Sequence, residues 1–422
     1  MFLPLFLVTI LISGGLGTPV RSRPEYQKDD YYTYEEIQDY LKGLAESYAN
    51  RVKLTNVGKS YENRNLTTIT ISNGDGRKDK NVIFIDAGFH AREWLTHTTA
   101  LNVIDNLVVN FEENKRFLQD YDWIILPLVN PDGYTYSRSG KKFTNETIYC
   151  PLAYTEDHEI KCWRKNREPN KYRCIGTDLN RNFGHGWGKG DASSDPCDST
   201  FKGLSKFSAS ESQAVRRVIL DLANSGRGVL YLSLHSAVGK ILYPWGSEEI
   251  KAKNYKEHEE VVQAGIDAMA NGNFQFPSTY KQGPSYSLYL AGGDSSDYAY
   301  EVGFPLSLTW ELPELRGNLN FRFHPPTYLI GELVDETWID NVPLGQPTWH
   351  HITTSTSTST STSSEESKGL REVSPPCPGN LATGKLGAWL PGTTFHCTEV
   401  ALMQFPGQRG DGIMKVLRHG HG

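Results

Sequence analysis

The chain lacks a basic surplus: 43 Lys and Arg stand against 49 Asp and Glu, a formal net charge of −6 over 422 residues. Proteins that grip nucleic acid through its phosphates normally carry such a surplus, so nucleic acid is excluded as the main partner. A long apolar run is missing too. The one candidate, residues 1–17, holds about 12 apolar positions, too few to span a bilayer and of the size of a signal-peptide core. Gly15 and Gly17 suit signal-peptidase cleavage, so the expectation is a signal peptide over 1–17, a mature start near Thr18, and a secreted, extracellular protein without a membrane span. Cysteine is scarce, six in all, and no two form a C-x-x-C pair, which argues against a zinc knuckle. An even set in a secreted chain reads as disulfides, and closeness in sequence suggests Cys150 with Cys162, Cys174 with Cys197 and Cys377 with Cys397. The H-E-x-x-H helix motif is also absent, which excludes a thermolysin-like metalloprotease.

With 38% hydrophobic and 22% charged residues the chain is globular, and its length suits one large α/β domain with appendages. Thr33 to Ala49 predicts a helix, with Thr33 as cap and Glu36 completing a capping box. Short apolar runs at Val82–Ala87, Trp123–Val129, Val229–Leu234 and Leu306–Leu312 predict buried strands. Helices are expected between them at Thr98–Phe111, Ser208–Ala223 (Ser208 and Glu211 forming a second capping box), Asn254–Ala270 and Thr327–Ile339. The fold class that follows is α/β, a central twisted mixed sheet with helices on both faces. After Gly345 the composition changes. A Ser/Thr-rich linker is expected over 346–367 and a tail over 368–422, either tied by Cys377 and Cys397 or disordered. In a secreted chain the sequons at Asn65 and Asn145 become candidate glycosylation sites.

The chemistry collects at the ends of the predicted strands, where open α/β sheets bind ligands. His90 and Glu93, three apart in His90-Ala91-Arg92-Glu93-Trp94, follow the first strand. His235 follows the third. Two histidines and a carboxylate give a catalytic zinc its three protein ligands and leave one position open. Glu311 is an acid inside the apolar run Leu306–Leu312, and buried carboxylates are costly unless paired or functional, so it reads as a base, a ligand or an ion-pair member.

These segments, with Thr177-Asp178-Leu179-Asn180-Arg181-Asn182-Phe183 between them, resemble the signatures of secreted zinc carboxypeptidases of the pancreatic A/B type. The resemblance covers about Tyr31 to Leu344, so a catalytic domain is expected over 31–345. It implies one Zn2+ held by His90, Glu93 and His235, with Asp178 orienting the first histidine. Glu311 is then the general base and Arg164 the oxyanion stabiliser. Asn180 and Arg181 would read the substrate's terminal carboxylate, Tyr289 would close over it, with Gly292-Gly293 giving its loop freedom, and Arg92 would line the next subsite. The partners implied are peptide or protein C-termini and proteinaceous carboxypeptidase inhibitors; a monomer is the default.

Three departures from the family pattern stand out. Only residues 18–30 precede the catalytic similarity, so no full inhibitory prodomain is expected, since a segment that short would not fold alone. The stretch Ser137 to Lys161 is longer than in typical relatives and, with Cys162 just after it, brings in an extra cysteine pair, Cys150 and Cys162, so the loop is expected to modify the rim of the active-site funnel. Ala237 stands where a tyrosine often follows the His-Ser pair. In the specificity pocket Ser296 occupies the floor, with Gly246, Leu242, Pro284, Ala291 and Thr309 at the walls, and an uncharged floor favours neutral aliphatic or aromatic C-terminal residues. A shift of two residues would instead place Asp294 there and favour Lys or Arg. The non-enzymatic reading, an extracellular binding protein with a vestigial zinc site, conflicts with a site in which every ligand and the base are retained. A cytosolic deglutamylase conflicts with the leader and the paired cysteines.

Overall fold

The computed structural model describes residues 26–139, 162–170, 174–272, 279–313 and 323–338. The expectations at 1–17, 18–25, 140–161, 346–367 and 368–422, including those for Cys150, Asn145, Cys377 and Cys397, lie outside the described residues. Eight strands form one sheet: β1 (Val52–Lys59), β2 (Asn65–Ile71), β3 (Asn81–Ala87), β4 (Tyr121–Leu126), β5 (Gly228–Ser236), β6 (Lys240–Tyr243), β7 (Lys281–Pro284) and β8 (Leu306–Leu312). Their order is β1-β2-β4-β3-β5-β8-β6-β7. The four central strands run parallel, while β2 meets β4, and β6 meets β8, antiparallel, so the sheet is mixed. Helices are α1 (Tyr34–Ser47), α2 (Trp94–Val108), α3 (Phe111–Asn114), α4 (Pro131–Ser137), α5 (Ser210–Asn224), α6 (Tyr255–Ala270), α7 (Ser295–Glu301) and α8 (Thr327–Glu336).

Side chains of a strand alternate between faces, and the central strands bury both. Ile83 and Ile85 of β3, Leu230, Leu232 and Leu234 of β5, and Leu306, Leu308, Trp310 and Leu312 of β8 pack on one side with α1, α2, α6 and α8. Val82 and Phe84 of β3 and Tyr231 of β5 face the other side, against Val215 and Ile219 of α5 and Tyr298 of α7. Burying each such Leu, Ile or Phe contributes about 2–3 kcal/mol. The polar members of the same strands, Asp86, Ser233, His235, Thr309 and Glu311, therefore share the second face by strict alternation. That face carries the site.

Two expected helix starts are corrected. The second helix begins at Trp94, not Thr98, because the chain turns immediately after His90 and Glu93 takes the N-cap position. The Ser208–Glu211 capping box does not form: α5 starts at Ser210 with Ala209 as N-cap and no side-chain cap. Ser208 Oγ instead accepts from Asn182 Nδ2, and Glu211 turns inward to accept from Asn166 Nδ2 and the Tyr61 N–H. At α1 the box forms as expected, Thr33 and Glu36 bonding reciprocally.

Candidate active site

The turn from β3 into α2 puts His90 and Glu93 on one edge of the sheet, and β5 lies beside β3 in parallel register, so its end delivers His235 to the same place. His90 Nδ1 lies 2.7 Å from Glu93 Oε1. His235 Nδ1 lies 3.1 Å from Glu93 Oε2 and 3.2 Å from His90 Nδ1. Tetrahedral zinc with bonds of about 2.0–2.1 Å places its ligand atoms roughly 3.3 Å apart, which the two His235 spacings match, while His90 and Glu93 stand at the shorter distance of a hydrogen bond. All three side chains are buried, and they are the one group of three or more His, Cys, Asp or Glu among the described residues whose ligand atoms converge in this way.

The surroundings of His90 hold it in the form a metal requires. Burial, reinforced by Arg164, holds His90 below the usual histidine range, which keeps its imidazole neutral. The other nitrogen of the ring, Nε2, lies 3.2 Å from Asp178 Oδ1, the carboxylate contact that fixes a ligand's orientation. Asp178 is itself buried. Against that burial, Arg164, His90 and Arg181 pull its carboxyl well below the usual range, so it stays charged. Arg164 Nε donates to Asp178 Oδ2 at 2.8 Å, so the arginine, its side chain only 9% exposed, is turned into the site rather than displayed on the surface. Glu93 is steadied by the Ser236 N–H, and Phe89 stacks on His235 with ring centroids 5.8 Å apart and an interplanar angle of 4°.

Glu311 is the register partner of His235 across β5 and β8, and it is half-buried at the strand's end. Asn180 Nδ2 lies 3.3 Å from His235 Nε2 while its Oδ1 accepts from the Ser295 N–H. Arg92 lies over the Phe323 ring at 4.4 Å, and burial together with Arg164 lowers its pKa to about 10.

Arg181 is buried and heavily bonded. Nε and Nη2 donate to the two oxygens of Asp191 at 2.9 and 3.1 Å, Nη1 donates to the Asn180 carbonyl, and Nη2 also donates to the Tyr289 hydroxyl at 3.2 Å. Tyr289 is otherwise exposed. Gly292 and Gly293 also have a packing role. A Cβ on Gly292 would lie 2.0 Å from the Gly186 carbonyl oxygen, and one on Gly293, at φ +81°, 2.3 Å from that of Arg181. These glycines allow the close backbone approach of the segment to Gly186 and Arg181, beside the exposed Tyr289.

The pocket residues come together. Thr309 Oγ1 donates to Ser296 Oγ, which donates to Asp294 Oδ1. A Cβ on Gly246 would lie 3.1 Å from the Ala291 carbonyl oxygen and 3.3 Å from Asp294 Oδ2, so the carboxylate borders the space that Gly246 leaves open. Leu242 pairs with Gly283 and Thr309, and Tyr243 with Pro284, which completes the wall. Asp294 also caps α7 by accepting from the Asp297 N–H at 2.8 Å. Asp297 accepts from the N–H groups of Gly246 and Ser247, and burial plus the charge of Asp294 pushes its carboxyl well up. Among the described residues neither acid has a salt-bridge partner.

The pairing of Cys174 with Cys197 is formed, Cα to Cα 5.1 Å, and closes the segment that carries Asp178, Asn180, Arg181 and Asp191. Cys162 is disulfide-bonded. Asn65 is exposed at the start of β2. Sequence reasoning missed Asp191, Phe89 and Phe323. Gly190-Asp191 reads as an ordinary turn, and nothing local in the sequence links it to Arg181.

An α/β sheet whose parallel strand ends present two histidines, a glutamate and a nearby second carboxylate defines a zinc-dependent hydrolase. The comparisons narrow the class. The zinc carboxypeptidase family model matches residues 37–340. Carboxypeptidase B of Helicoverpa zea is 36% identical over 318 residues, covering 74% of this chain and 68% of that protein. Carboxypeptidase A from Helicoverpa armigera superposes with a TM-score of 0.67 at 32% identity, covering 78% of this chain and 75% of that one. Bovine thrombin-activatable fibrinolysis inhibitor, solved in complex with a tick carboxypeptidase inhibitor, gives 0.64 at 29% identity, covering 78% and 99%. The chain belongs to the zinc carboxypeptidase family and is a metallocarboxypeptidase.

Proposed function

We propose that the protein is a secreted, monomeric exopeptidase with one zinc per chain, and that it removes single C-terminal Lys or Arg residues from peptides and proteins. His90, Glu93 and His235 would hold the zinc, whose chemistry when bound is to polarise a carbonyl and bring the pKa of water toward about 7. Glu311, at the end of β8 beside His235 on β5, takes the water's proton and returns it to the leaving amine. Arg164, fixed by Asp178 through Nε, presents its terminal nitrogens to the developing oxyanion. Arg181 and Asn180 bind the terminal carboxylate, and the Tyr289 hydroxyl, already on Arg181, stands where it can cover it. Arg92 lines the next subsite outward.

The observation that carries the side-chain preference is the buried Asp294 carboxylate, without a cation among the described residues, at the edge of the Gly246 space. Buried charge is costly unless compensated, and a substrate ammonium or guanidinium compensates it. Ser296, the uncharged floor expected to favour aliphatic or aromatic residues, donates its hydroxyl to Asp294 and so leaves the pocket polar. The second reading, a neutral preference, is favoured by the short reach of a serine floor. The relatives do not choose, since one is named carboxypeptidase A and another carboxypeptidase B.

The test is hydrolysis of blocked dipeptides ending in Lys, Arg, Phe and Leu, with Asp294→Asn beside the natural enzyme. Asparagine caps a helix as well as aspartate does, so the variant removes charge and keeps α7. Lys and Arg should lead by about tenfold or more in kcat/KM, the equivalent of about 1.4 kcal/mol, and Asp294→Asn should erase the lead. A natural enzyme that prefers Phe or Leu overturns the preference. Zinc-loaded protein that cleaves none of the four overturns the exopeptidase reading, with Glu311→Gln as the inactive reference.

A further inference from the structure

The carboxylate of Asp191 has no place in the reaction, yet it takes the best hydrogen-bonding edge of Arg181. A guanidinium offers five N–H groups. Asp191 accepts two of them, from Nε and Nη2, in the bidentate arrangement that a carboxylate makes with arginine. The Asn180 carbonyl takes one from Nη1 and the Tyr289 hydroxyl one from Nη2. The last, on Nη1, has no partner among the described residues.

Asp191 is itself held from three sides. Its N–H donates to the Leu290 carbonyl at 2.9 Å, its carbonyl accepts from Thr200 Oγ1 at 2.7 Å, and the preceding Gly190 bridges Ala291 antiparallel. A Cβ on Gly190 would stand 2.2 Å from the Leu290 carbonyl oxygen, so the two backbones are in close contact there. The carboxylate thus has a fixed origin, one residue from the chain that carries Tyr289.

We propose that Asp191 is a positioning residue of the carboxylate-binding subsite: it occupies the Nε/Nη2 edge of Arg181 and so turns the Nη1/Nη2 edge toward the substrate. This rests on the reading of Arg181 as the residue that binds the terminal carboxylate. One substrate oxygen then takes the remaining Nη1 hydrogen, and the other takes the Nη2 hydrogen now on the Tyr289 hydroxyl, which is released to close over the bound terminus. Because Asp191 is ionic, it also opposes the affinity of Arg181 for a second carboxylate. The opposing effects have different signatures: lost orientation raises KM, whereas relieved competition lowers it.

The experiment measures kcat and KM on the preferred blocked dipeptide for the natural enzyme, Asp191→Ala, Asp191→Asn, Asp191→Glu and Arg181→Ala, each with its zinc content and melting temperature. Asp191→Ala should raise KM about tenfold with kcat within about threefold, because the interaction lost is one of ground-state binding and orientation. Asp191→Asn, which keeps one acceptor oxygen, should fall between, and Asp191→Glu should recover part of the loss. If Asp191→Ala does not fold, the Asn and Glu variants carry the same comparison. A KM that is unchanged or lower in the Ala or Asn variant overturns the proposal, as does a fall in kcat alone. If Arg181→Ala leaves KM unchanged, the reading of Arg181 fails and takes this one with it; if only the Asp191 variants are silent, this inference fails alone.

Discussion

Glu211 is a buried carboxylate whose described partners, the Tyr61 N–H, Asn166 Nδ2 and Ser210 Oγ, are all neutral. Burial pushes its pKa up to about 7 from an ordinary value of 4.5. The folded protein therefore keeps a proton that the unfolded chain gives up. Between about pH 4.5 and 7 stability falls as pH rises, by at most about 3 kcal/mol from this residue. Asp86, raised to about 7 by burial, acts in the same direction. Thermal melts from pH 4.5 to 7.5 should show the slope, and Glu211→Gln, which keeps the acceptor oxygen, should flatten part of it. A variant with the natural protein's slope would show that Glu211 is ionised in the fold.

Among the elements, the segment 289–293 and the chain around Arg181 depend on one another. Gly293→Ala would push a Cβ to 2.3 Å from the Arg181 carbonyl oxygen at φ +81°, a conformation that alanine resists. The expected cost is about 2 kcal/mol or more in stability, with KM raised because Arg181 and Tyr289 shift together. Denaturant unfolding and dipeptide kinetics check both. The elements that carry the metal ligands and base were legible from sequence, because β3, β5 and β8 are apolar runs whose ends hold His90, His235 and Glu311. The outer strands β1, β2, β6 and β7 were not: they are short or half-exposed, and their pairing comes from neighbours rather than from their own pattern. The cap of α5 misled because Asn182 claims Ser208 and the interior claims Glu211. Within the site, residues held by regular strands could be placed. In the irregular stretch from Thr177 to Ala209, Asp178, Asn180 and Arg181 could be placed only through the family motif that holds them, and Asp191, outside that motif, needed the folded path.

For the whole molecule, the three ligands tie two sequence-distant parts of the sheet, so occupancy and stability are linked. A metal that binds the folded chain alone stabilises it by about 2.7 kcal/mol when free metal is about a hundredfold above its dissociation constant. A chelator should therefore lower the melting temperature of the natural protein and leave that of His235→Ala unmoved; a chelator without effect on the natural protein would place the metal elsewhere. Among the described residues no helix is long and apolar enough to cross a membrane. Secretion is checked by whether expressed protein reaches the medium with residues 1–17 removed.

The spacing of the ligands along the chain gives the site a second role, as a clock. His90 and Glu93 leave the ribosome almost together, but His235 follows 142 residues after Glu93. Until β5 zips against β3, a cation meeting the growing chain finds only a two-pronged grip, too weak to hold it against cellular competitors. Tight capture starts when the central pair of strands closes, so the moment at which a refolding chain takes up zinc marks the assembly of its middle rather than of either edge.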